Sequence, residues 1–179
     1  MTTQSTTILK VLNILSWITF VGLCVKAGML LCYYIMAMYI NPMGAKNLAL
    51  NLDLSHLHAY DIIDYSILVG CMIAITVLEA LLFYCLIQIF LKINMVSPFS
   101  ETIGQLIKRM SIFSLFVGLL SEVAVGYAGK FIALKLNLPN LTEHIGLGDA
   151  FLFFAGILYF ISLLFARGIE LQQENELII

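Results

Sequence analysis

The sequence predicts an all-α integral membrane protein: a bundle of four spanning helices with a small extracytoplasmic cap. Two observations carry this. Four apolar runs each reach the roughly 18 residues that mark a spanning helix. The whole chain of 179 residues is 61% hydrophobic and only 11% charged, where a soluble domain is nearer half apolar and a quarter charged. The runs fall at about 8–39, 62–91, 101–128 and 149–170, leaving 171–179 as a tail and no room for a second, soluble domain. A net charge of −2 argues against direct nucleic-acid binding, which needs a basic face.

The first run, Ile8–Tyr39, follows a polar, uncharged start at Met1–Thr7. It has neither the basic beginning nor the small-residue cleavage site of a signal peptide, so it reads as a retained span. About 30 residues make about 45 Å of helix, longer than the hydrocarbon core, so it must tilt or project into the interfaces. Trp17, the only tryptophan, lies near one end; Tyr33, Tyr34 and Tyr39 mark the other as an aromatic belt. Asn41-Pro42 stops the helix, because proline lacks an N–H and disfavours helix at the residue before it.

The first loop, 41–61, places leucine at Leu48, Leu50, Leu52 and Leu54, a strand period. The third loop repeats the alternation at Leu134, Leu136 and Leu138. The two loops lie on the same side of the membrane if all four runs cross it. They are expected to pair or pack as the extracytoplasmic cap, with a short β-pair between them; an interfacial helix is the simpler alternative, since leucine is a good helix former.

The second run, Ile62–Leu91, carries Ser66, Gly70 and Ala74 at four-residue spacing, a stripe that lets a neighbouring helix approach closely. A turn, Lys92–Ser100, joins it to the third run, and Ser97-Pro98 fits a helix N-cap followed by proline at the first helical position. Ser111, Ser114, Gly118 and Ser121 give the third run its own stripe of small residues.

Orientation follows from the basic residues. Lys10, Lys92, Lys108, Arg109 and Arg167 lie on the side of the termini, against Lys46, Lys130 and Lys135 in the loops opposite. Five against three places both termini in the cytoplasm.

At the hairpin and the tail the sequence resembles a known family. The carrying segments are Asn41-Pro42 with Ala45-Lys46-Asn47-Leu48 and Leu52-Asp53-Leu54-Ser55, then Leu82-Phe83-Tyr84, Asn94-Met95-Val96-Ser97-Pro98-Phe99-Ser100, and Gly168-Ile169-Glu170-Leu171-Gln172-Gln173-Glu174-Asn175-Glu176-Leu177. Together they resemble the bacterial four-span membrane proteins of the domain of unknown function 2975. The resemblance implies four spans in a prokaryotic inner membrane and, as a partner, a small cytoplasmic helix-turn-helix regulator of the Cro/C1 type. It implies no catalytic residues.

Lys26, Glu79 and Glu122 are the only formal charges deep in the spans. Such groups are costly in hydrocarbon; they line a polar pocket or relay, or they form a satisfied pair that fixes helix register. His56, His58 and Asp61, with Asp64, His144 or Glu143, are the weak candidates for a metal, which needs three or four ligands in tight geometry; a solvated loop is the simpler reading. Cys24, Cys32, Cys71 and Cys85 all fall inside the spans and form no CxxC pattern, so they read as small apolar residues.

No hydrolase, zincin, Walker or dinucleotide motif is present. The expectation is a non-enzymatic protein without a cofactor. Pro98, Phe99, Ser100, Arg109, Glu174, Asn175 and Glu176 form its cytoplasmic contact surface, and its partners are the lipid bilayer, a regulator and, in a homo-oligomer, a second copy. The alternative is a small transporter or ligand-binding bundle that uses Lys26, Glu79 and Glu122.

Overall fold

Asn41 ends the first helix and starts the next turn. Its backbone is extended (φ −155°, ψ 126°), and its side-chain oxygen accepts from the Met43 N–H at 2.9 Å. In the computed structural model, which describes residues 3–48, 52–93, 99–134, 136, 138, 141–145 and 147–176, this is the junction between α1 (Thr3–Tyr39) and a 3-10 turn (Pro42–Asn47). The turn folds back onto the helix it follows. A methyl group on Gly44 would lie 2.8 Å from the Ala37 nitrogen, so only glycine permits the approach.

The remaining elements are α2 (Ser55–Tyr60), α3 (Ile62–Lys92), α4 (Glu101–Ala133), α5 (Leu141–Ile145) and α6 (Gly148–Glu176). Four helices are long and apolar enough to cross a membrane: α1, α3, α4 and α6. Asp61 caps α3, accepting from the N–H groups of Ile63 and Asp64 at 2.6 and 3.1 Å. Helix α4 begins at Glu101, with the Ser100 hydroxyl facing the Ile103 N–H at 3.4 Å. The cap foreseen at Ser97-Pro98 lies outside the described residues.

The described residues contain no strand and so give the expected β-pair no support; residues 49–51, 135, 137 and 139–140 of the two loops lie outside the described residues. The first loop closes on itself instead. Leu48 donates to Leu52 and Leu54 donates to Ala45, at 3.0 and 2.9 Å, so its backbone groups are used locally. Leu48, Leu52, Leu54 and Leu57 are fully buried in one core cluster with Tyr65, Phe131 and Leu141. The alternating leucines thus record which side of a folded loop faces the bundle. In the third loop the Leu136 N–H bonds back to Phe131, and Leu136 and Leu138 pack against the same cluster without a ladder.

The four long helices stand in a row. Helix α3 packs on α1 and α4, and α4 on α3 and α6; no substantial packing joins α1 to α6 among the described residues. The expected bundle is therefore open along one side. Outside water there is no hydrophobic force to close it, because lipid chains cover apolar helix faces as well as leucine does. The α4–α6 seam is the tightest, as the serine stripe requires. The hydroxyls of Ser111 and Ser114 donate across it to the Ala155 and Phe151 carbonyls, at 3.0 and 2.8 Å. The stripe on α3 acts only in part: Gly70 faces open space, while the Ser66 hydroxyl bonds its own helix at Ile62 and also reaches the Met38 sulfur of α1 at 4.0 Å.

Candidate functional site

Three regions hold the residues singled out from the sequence. The first is the interior of the helix row. Lys26 of α1 and Glu79 of α3 are both half-buried, and they form no ion pair. Glu79 shares a partly open cavity of about 20 Å³ with Ser121 of α4 and His144 of α5, lined also by Ile75, Ile145, Leu147 and Phe151. That is room for one water molecule. Glu122 does not join them. It turns to the start of α6, where its carboxylate sits against Gly148 so closely that a side chain on that residue would collide. A carboxylate there complements the positive end of a helix, which gives Glu122 a structural use. The expected group of three charges is thus not brought together: Glu79 lines the small cavity, Lys26 is not part of its lining, and Glu122 sits at the start of α6. Ser121 and His144 are the members that sequence spacing alone did not single out for this pocket.

The second region is the loop end. Among the described residues no three metal-ligating side chains converge. Asp61 is engaged as a helix cap, His58 packs edge-on against Tyr65 with ring centres 5.0 Å apart, and His56 is exposed. Asp64 accepts a hydrogen bond from the Tyr127 hydroxyl, tying α3 to α4. Asp53 accepts from the Ser55 N–H and hydroxyl, at 2.9 and 2.6 Å. Partial burial works against its charge. The two Ser55 bonds, with His56 and Lys46 nearby, outweigh that and hold the carboxyl below its ordinary value.

The third region is the hairpin end. Phe99 leaves the turn and packs on α6, with its ring centre 5.2 Å from that of Phe165. A methyl group on Gly168 would come within 2.7 Å of the Phe99 ring, so the glycine makes the seat. Turn and tail helix therefore meet, a contact between distant positions that no local pattern announces. Glu174 is exposed near the end of α6; Asn175 and Glu176 continue the helix, and their side chains, like Pro98, lie outside the described residues. Arg167 pairs with Glu170 at 2.6 Å, both exposed.

Two grooves flank α4 at this end. One, about 190 Å³, runs between α4 and α6 and holds Lys108 with Glu101 and Gln105, themselves hydrogen-bonded at 3.0 Å. The other, about 350 Å³, runs between α3 and α4 and holds Lys92 and Arg109. Arg109 thus faces the α3 side of α4, away from the Phe99 contact on α6. The chain matches no family model, no curated protein and no solved structure.

Proposed function

We propose that this chain is a non-enzymatic, multi-pass protein of a bacterial inner membrane that acts by interaction or regulation, with its hairpin and tail as the cytoplasmic contact surface. The observation that carries the reading is the seating of Phe99 on Phe165 and Gly168. It makes one surface of the turn and the acidic end of α6, segments that are distinctive although they face water. The resemblance to the four-span family supports the same reading and suggests the partner, a small helix-turn-helix regulator. The basic-residue bias puts this surface in the cytoplasm.

Removing Leu171–Ile179 is expected to leave membrane insertion intact and to abolish co-purification of the regulator. Phe99→Ala is expected to weaken it with the tail present, because the turn loses its seat. A truncated chain that retains the partner at full yield overturns the reading.

A second reading rests on the cavity at Glu79. A site lined by a carboxylate, a serine and a histidine suits passage of a water molecule or proton; at about 20 Å³ it is too small for a metabolite. The transporter alternative is therefore narrowed to a proton or small-ion path. In sealed proteoliposomes carrying a pH dye, wild type is expected to dissipate a gradient faster than Glu79→Gln. Equal rates remove this reading and leave the first untouched.

A further inference from the structure

The groove between α3 and α4 is built for an anion held beside hydrocarbon. Lys92 ends α3, and Gln88 lies one turn above it on the same face. Arg109 faces them from α4, eight residues past that helix's start and so about 12 Å along it. Farther from the hairpin the lining turns apolar, with Leu81 and Phe113, while Leu106 lies one turn nearer the hairpin than Arg109. Tyr84 forms the border toward α1, where it meets the Phe20 ring at 6.0 Å.

The charges in this groove are one-sided. Among the described residues neither Lys92 nor Arg109 has an ion pair, and the lining holds no carboxylate. The neighbouring α4–α6 groove differs, since Lys108 shares it with Glu101. Lys92 has a use within the chain, at the negative end of α3. Arg109 has none: it lies well inside α4, far from either helix end. A cation kept close to hydrocarbon is expensive without a counter-charge. Since the described residues supply none, the bilayer is the source the groove points to.

We infer that the α3–α4 groove binds one anionic phospholipid, its phosphate between Arg109 and Lys92 and within reach of Gln88, with an acyl chain along Leu81 and Phe113. Basic pockets between spanning helices select such headgroups by charge, while the apolar lining selects a lipid over a free anion. The inference needs the four helices to lie in a membrane and is independent of the regulatory reading.

The test titrates the full chain, in a non-ionic detergent, with dioleoyl phosphatidylglycerol and separately with dioleoyl phosphatidylcholine, and counts one-to-one complexes by native mass spectrometry. Phosphatidylglycerol is expected to bind preferentially. Lys92→Gln with Arg109→Gln is expected to weaken it by about tenfold or more. Lys108→Gln, which removes a neighbouring cation from the other groove, is expected to leave it unchanged. Leu81→Trp, which fills the apolar part with both cations in place, is expected to remove it. Equal binding of the two lipids overturns the inference. So does a loss with Lys108→Gln as large as with Arg109→Gln, unchanged binding in Leu81→Trp, or displacement of the lipid by excess inorganic phosphate. If the double variant fails to fold, Leu81→Trp decides alone.

Discussion

At Asp53 a single side chain fixes how the first loop enters α2. Its carboxylate receives both the N–H and the hydroxyl of Ser55, and these bonds exist at full strength only while it is ionised. Its folded pKa lies below the ordinary value of 3.8. The stability it contributes is therefore fully present above the ordinary value and disappears as pH falls through the lower, folded one. Asp53→Asn is expected to melt roughly 2–4 °C below wild type from neutral pH down to about 5, and the gap should close as the pH drops below about 4. Thermal melts of both proteins in detergent check this; a gap that widens on acidification reverses the sign and refutes it. The same scale shows why some residues were legible in the sequence and others were not. Asn41-Pro42 acts on its immediate neighbours, so its side-chain chemistry predicts its work; Asp61, singled out only as a weak metal candidate, caps α3 instead. Glu122 was grouped with Glu79 because both are intramembrane carboxylates. What separates them is the start of α6, 26 residues along the chain at Gly148, and no local rule reports that.

At the scale of elements, the seam between α4 and α6 is made by hydroxyls. Ser111 and Ser114 satisfy themselves on carbonyls of the facing helix, which requires the two backbones to be close and the side chains small. Interhelical bonds of this kind average about 0.6 kcal/mol in a membrane protein, so Ser111→Ala with Ser114→Ala is expected to lose about 1 kcal/mol. Ser114→Leu should lose more, because an added isobutyl group must force apart two helices in contact. Reversible unfolding in mixed micelles measures both, and a double alanine variant as stable as wild type would show that the hydroxyls contribute nothing to the seam. The stripe was readable because three- and four-residue spacing puts these serines on one helix face. The equivalent stripe on α3 is used only at Ser66, which reaches Met38 of α1; spacing defines a face without saying what covers it, and Gly70 meets open space. The leucine alternation misled for another reason. Period two is the mark of a strand only where a partner strand supplies hydrogen bonds, and here the loop's own turns use them.

The whole molecule is a row of four long helices with its two kinds of chemistry at opposite ends. Polar helix caps, aromatic contacts and buried leucines gather where the short helices lie; unpaired cations and the joined turn and tail gather at the hairpin. If all four long helices cross, the even number puts both termini on the hairpin side, and we propose from the excess of Lys and Arg there that this side is cytoplasmic. The assignment is testable without knowing the function. In a variant with the four native cysteines replaced by alanine or serine, a cysteine at exposed Met43 is expected to react with a membrane-impermeant maleimide in intact cells. Cysteines at Glu101 or Leu171 are expected to react only after the membrane is permeabilised. These positions test opposite ends of the row, so the pattern has one inverse: labelling at Glu101 and Leu171 from outside. That result would put the phospholipid groove in the outer leaflet and the hairpin beyond the reach of any cytoplasmic regulator. It would also mean that the five basic residues at the hairpin side had failed to set topology against the three opposite. Labelling of Met43 and Leu171 together from outside would break the even count of crossings, and with it the requirement that turn and tail share one compartment for Phe99 to sit on Gly168.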